Sequence, residues 1–294
     1  MTENRKQSCP NCGSPGVEKY CPACGQAAPQ PKDYSIGPYA AELFESITST
    51  DGKTLRTIAR LLTRPGFLTA EHLAGRRARY LRPIQIFLLV NVLLFISAPQ
   101  VPLFSYSLEK YLRYAPPSPS LVGRLVKKAT PAGHSHVAGR GAEEFSEYAK
   151  AFDARVESQR KSLIILFAPA LALLLLGMFR VMRGVDTARK RYGEHLVFSL
   201  HLLSFVWLVL AGVGLVARLS SVVGGVNRPA LIFLITIVVG LLAWGLVYLV
   251  RGIRRVYATS LWQTAVAAVV VAGGFTGLLI AYRALLFFTT YYTL

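Results

Sequence analysis

The residues best suited to chemistry are four cysteines, Cys9-Pro-Asn-Cys12 and Cys21-Pro-Ala-Cys24, each pair followed by a glycine, Gly13 or Gly25. A Cys-x2-Cys turn can present two thiolates to one metal, and the eight residues between the pairs suffice for a hairpin that brings them together. Four sulfurs so spaced favour tetrahedral Zn2+; a rubredoxin-like iron site is the alternative metal. An all-thiolate set leaves no position open for a substrate water, so the expected zinc is structural rather than catalytic. Paired disulfides do not suit a cytosolic segment. Residues 1–28 hold little apolar material, so metal binding should supply most of their folding energy. Arg5, Lys6 and Lys19 stand against Glu3 and Glu18 and form no basic stripe, which argues for protein docking or a structural role over nucleic-acid binding.

The second constellation is Arg189-Lys-Arg-Tyr-Gly-Glu194-His195-Leu-Val-Phe-Ser199-Leu-His201. On a helix, Glu194 and His201 share one face and His195 and Ser199 another. His201 lies more than a turn inside an apolar run, where an ionisable side chain is a functional candidate. Glu194 and His201 could bind a cation or relay protons, or His201 could bond a neighbouring helix in its neutral form. Asn91 is the other intramembrane polar residue that stands out, able to line a cavity or join helices. Arg76, Arg77, Arg79 and Arg82 cluster before the first apolar segment; they suit anionic lipid phosphates, and equally an anionic substrate or partner. His134 and His136 could bind metal but have no third ligand nearby. No Gly-x-Ser-x-Gly, His-Glu-x-x-His or phosphate-binding loop occurs, so no catalytic residue is assigned.

These residues need an apolar frame. The chain has 294 residues, 53% hydrophobic, with a mean hydropathy of +0.41. Residues 1–30 contain no apolar core of the signal-peptide kind. Apolar segments follow at 84–103, 163–179, 196–217, 230–250 and 263–282, the first short and interrupted by Pro99 and Pro102. About 20 residues are needed to span. Lys and Arg number twelve through Pro83, five in 180–195, two in 218–229 and three in 251–262, with Arg283 alone after the last segment. Five spans with a cytosolic N-terminus and an extracytoplasmic C-terminus agree with the positive-inside rule. A re-entrant first segment would put a basic cluster on the wrong side. The net charge of +18 is spread over nearly every connection, which reads as topology and attraction to anionic lipid. The expected fold is an all-α polytopic membrane helix bundle of about five spans behind a small N-terminal zinc ribbon.

Between ribbon and membrane, residues 29–83 read as a linker and amphipathic helices: one over Tyr39–Ile47, one over Thr54–Leu62 halted by Arg64-Pro65-Gly66, and a short basic one over 69–80 with Thr69 as cap. The loop at 104–162 is extracytoplasmic on this topology and should carry a helix near 142–161. Pro169 is expected to kink the second span, and residues 283–294 form a tail.

The combination resembles a large family of uncharacterised bacterial membrane proteins with an N-terminal Cys-Pro-x-Cys-Gly pair. The resemblance rests on the cysteines, on Arg64-Pro65, on Tyr80-Leu-x-Pro83 before Phe87-Leu-Leu and Asn91, and on Tyr192-x-Glu194-His195-Leu-Val-Phe-Ser199-Leu-His201. It implies a multi-pass protein of the bacterial inner membrane and supplies no reaction.

Three functional classes follow. The first is a nonenzymatic membrane protein coupling a cytosolic zinc ribbon to a helix bundle in assembly, regulation or scaffolding, with a protein partner through the ribbon. The second is a small transporter using Asn91, Glu194 and His201, which with five spans would need homo-oligomerisation. The third is a lipid-modifying enzyme, with Arg76, Arg77 and Arg79 on the phosphate and His195 as base, but lacking a nucleophile or catalytic metal.

Overall fold

The computed structural model describes residues 8–15, 19–26, 52–97, 107–113, 119–129, 140–182, 191–222 and 228–294. The expected helix at Tyr39–Ile47, the linker at 29–35, and His134 and His136 lie outside them. The described helices are α1 (Gly52–Thr63), α2 (Phe67–Leu73), α3 (Pro83–Ser97), α4 (Leu108–Arg113), α5 (Pro119–Ala129), α6 (Arg140–Leu163), α7 (Phe167–Val181), α8 (Tyr192–Val222), α9 (Arg228–Tyr257) and α10 (Leu261–Thr293). The molecule is an all-α helix bundle preceded by the cysteine cluster.

Among the described residues, four stretches are long and apolar enough to cross a membrane: Ile164–Val181, Tyr192–Leu215, Ile235–Tyr257 and Leu261–Thr293. The first expected span is represented by α3, whose 15 residues rise only ~22 Å against an apolar layer of ~30 Å. Residues 98–103, which would complete it, lie outside the described part. Short as it is, α3 is well packed. Ile86, Phe87, Val90 and Leu94 are fully buried, and the helix lies against α8, the most enclosed of the long helices. In a bilayer this association draws on close packing and polar contacts, since lipid tails are as apolar as the side chains.

Several hydroxyls and amides inside the apolar helices satisfy themselves locally. Ser204 donates to the Leu200 carbonyl, Thr236 to Ile232, Thr276 to Ala272 and the Asn91 amide to Phe87, each four residues back. α6 runs into α7 through a 3-10 turn at Ile164–Leu166 with helical backbone on both sides. That tighter turn falls just before Pro169, whose ring is incompatible with a regular α-helical turn behind it. Where α9 ends and α10 begins, Ala258 adopts φ 50° and Ser260 opens α10 with a capping box shared with Gln263.

The expected helix at 69–80 is not formed as such. α2 ends at Leu73, and Gly75, at φ +81°, turns the chain so that Arg76, Arg77 and Arg79 lie on a loop. Thr69 does not cap the helix either: Gly66 occupies the N-cap, at φ +69°, and Thr69 is buried inside α2. Gly66 is required twice over, because a Cβ there would also lie 2.9 Å from the Gly252 carbonyl oxygen of α9. Arg255 of α9 donates to the Pro65 carbonyl at 3.1 Å and its guanidinium sits 5.9 Å from the Phe67 ring centre, so α2 is clamped to the end of the long helices.

At the opposite end, α4, α5 and α6 gather on the last third of α10. Tyr111 donates to the Arg283 carbonyl, and the Gln159 side chain accepts from Thr289 and Thr290 while its amide donates to Thr293. Tyr111, Phe152 and Phe287 pack ring on ring between them.

Candidate functional site

The ligand atoms of Cys9, Cys12, Cys21 and Cys24 lie within 4.8 Å of one another. Two identical turns put them there. In each, the first cysteine's carbonyl accepts from the glycine N–H (Cys9 from Gly13, Cys21 from Gly25), and its own N–H donates to the carbonyl five residues on, of Ser14 or Gln26. Gly13 and Gly25 take φ +76° and +70°, which explains a glycine after each pair. The sulfurs of Cys9 and Cys24 are 3.6 Å apart and those of Cys12 and Cys21 3.5 Å. Sulfurs ~2.3 Å from a common centre in a tetrahedron would be about 3.8 Å apart, so the set fits a four-coordinate metal. The backbone at Gln26 and the Asn11 side chain hold the Cys24 thiol down to about 6. The Ser14 backbone favours the Cys12 thiolate too, yet desolvation and the neighbouring sulfurs push Cys12 up to about 12. Four sulfurs this close cannot all ionise without a cation between them.

Among the described residues, the cluster is hydrogen-bonded to the rest of the chain through the Gln26 side chain. Gln26 donates its amide to the Gly75 carbonyl at 2.8 Å and accepts from the N–H groups of Arg77 and Ala78 at 3.1 and 3.2 Å. Pro10 rests against Gly75, where an added Cβ would lie 3.1 Å from the proline ring. Neither Gln26 nor Gly75 carries a signal in the sequence, because the contact spans about fifty positions.

The intramembrane polar residues do not form one group. His201 turns to α2, its Nδ1 3.0 Å from the Thr69 hydroxyl. Glu194 stays at the start of α8, its carboxylate accepting from the Arg191 N–H at 3.4 Å. His195 meets Tyr257 of α9, Nδ1 to hydroxyl at 3.0 Å, and the two rings stack with Phe179 of α7. Asn91 bonds its own helix, and its carbonyl oxygen is buried without a hydrogen-bond partner, as is the Ser199 hydroxyl. Glu194 and His201 therefore share a helix face but have different partners.

The arginines divide as well. Arg76 forms a bidentate pair with Glu71, Nε to Oε2 at 2.9 Å, which holds the Glu71 carboxyl below the usual range. Arg77 donates to the His72 carbonyl at 3.4 Å. The Arg82 N–H is capped by the Gln85 side chain at 2.9 Å, opening α3 with Pro83 in its first position. Arg76, Arg77 and Arg82 line a recess with Leu68, His72, Tyr80, Leu81 and His201; Arg79 does not. The sequence reading gives Thr69 only a capping role and gives His72 and Tyr257 none. The first two lie three apart on α2, so a helical reading that placed Thr69 inside the helix would have put them on one face.

Residues 51–95 match a family described as "Protein of unknown function (DUF3667)". The matched segment carries α1, α2, the arginine loop and most of α3. No curated protein and no solved structure matches the chain.

Proposed function

We propose that this is a nonenzymatic protein of the bacterial inner membrane in which a cytosolic zinc-folded ribbon is coupled to a helix bundle, serving assembly, regulation or scaffolding. The observation that carries the reading is the Gln26 grip on residues 75–78, which fastens the cysteine cluster to the segment leading into α3. Cys9, Cys12, Cys21 and Cys24 would hold the zinc, which supplies folding energy and leaves no ligand position for substrate. The ribbon's outward side would then present a partner-binding surface whose position is tied to the helices.

The transporter alternative draws less support, since Asn91, Glu194 and His201 bond to three different places. Crosslinking in cells followed by mass spectrometry of the membrane complexes, comparing the intact chain with Cys24→Ser at matched abundance, tests the docking role. A stoichiometric partner lost with the substitution is expected; an unchanged set of partners would remove the ribbon from that role.

A further inference from the structure

The recess between α2, the 76–82 loop and α8 is lined by three arginines, two histidines, one tyrosine and two leucines, with no carboxylate among them. Its volume is about 10 Å³, room for one water-sized group. Its floor is His201, 4% exposed, whose hydrogen-bond partner among the described residues is Thr69. Thr69 is itself 1% exposed and, among the described residues, has no other acceptor for its hydroxyl proton. A buried hydroxyl without an acceptor is costly, so that proton goes to Nδ1 and the ring's own proton sits on Nε2. His201 is then a neutral donor. Arginine side chains are donors only. The recess thus offers N–H groups and positive charge to something that only accepts.

We propose that this recess takes one oxygen of a phosphate group, with His201 Nε2–H at the floor and the Arg77 guanidinium group at the mouth. A single phosphate oxygen fits the volume, and the remaining oxygens lie among the arginines. Arg76 contributes less, because Glu71 already neutralises it. The phosphate can arrive on a lipid headgroup or as a free anion; both present the same oxygens. The inference goes beyond the ribbon-docking role and does not rest on it, since the floor and both walls belong to α2, α8 and the loop between α2 and α3.

The test uses the full chain with its metal bound, in phosphatidylcholine nanodiscs. It is titrated by calorimetry with short-chain phosphatidylglycerol and, separately, with inorganic phosphate. Saturable binding at one site is expected. Losing one charge-assisted hydrogen bond should weaken it about tenfold or more in Arg77→Gln and in His201→Gln. Arg124→Gln, an exposed cation on α5, should leave it unchanged. Metal content and helical circular dichroism check folding; should His201→Gln fail to fold, Arg77→Gln, on an exposed loop side chain, decides alone. Binding of phosphatidylglycerol only marks a headgroup site, and binding of inorganic phosphate as well marks a site for the free anion. No saturable binding of either, or an equal loss in Arg124→Gln, overturns the proposal.

Discussion

His72 shows how one side chain records its surroundings. Burial, with Arg77 and then Arg82 nearby, holds its imidazole down to about 4. Unfolded, it would titrate near its ordinary value of ~6.5. Between these values the unfolded chain binds more protons, so the stability owed to neutral His72 is whole above ~6.5 and is lost as pH falls toward 4. The other groups lining its recess are Arg76, Tyr80 and His201. Chemical denaturation across that range should show His72→Asn losing less stability than the intact chain, by up to ~3 kcal/mol. Gln26 makes a second case. Gln26→Ala removes three hydrogen bonds to the 75–78 loop, a cost of ~1–3 kcal/mol to ribbon docking. Hydrogen exchange at Arg77 and Ala78 should quicken while amides in α8 keep their protection.

At the scale of elements, hydropathy located the long helices because a membrane span is a local property of about twenty residues. The cysteine turns were legible for the same reason: ligand spacing and the glycine after each pair are written within a few positions. What local patterns do not encode is where a helix stops against a distant neighbour. Residues 69–80 read as a short basic helix, and Gly75 at positive φ, packed under Pro10, ends it early and leaves Arg76, Arg77 and Arg79 on a loop. Glu194 and His201 share a face through their seven-residue spacing, but the partner of His201 is Thr69, 132 positions away. Gly66→Ala puts a side chain into left-handed backbone and against the Gly252 carbonyl, so it should destabilise by ~2 kcal/mol or more. Gly212→Ala, in a helix with nothing within 4 Å of the added Cβ, should be neutral or stabilising by up to ~1 kcal/mol. Thermal melts of the two variants in the same detergent check the contrast.

For the whole molecule, the ribbon and the bundle rest on different forces. With a metal held as proposed, the ribbon would depend on a cation among four sulfurs, while the bundle rests on packing around α8. Chelation should therefore expose residues 8–26 to protease while the helical circular dichroism changes little; joint collapse would mean that the bundle needs the ribbon to fold. The two ends of the molecule are linked by α10, which starts beside the end of α9 and finishes among α4, α5 and α6. Its 33 residues form a rod of roughly 50 Å, so roughly 20 Å stands clear of a ~30 Å apolar layer. Such an overhang works as a pointer. A change in membrane thickness that tilts the rod by about ten degrees around the midplane swings its tip sideways by roughly 6 Å, carrying the helices clasped there with it.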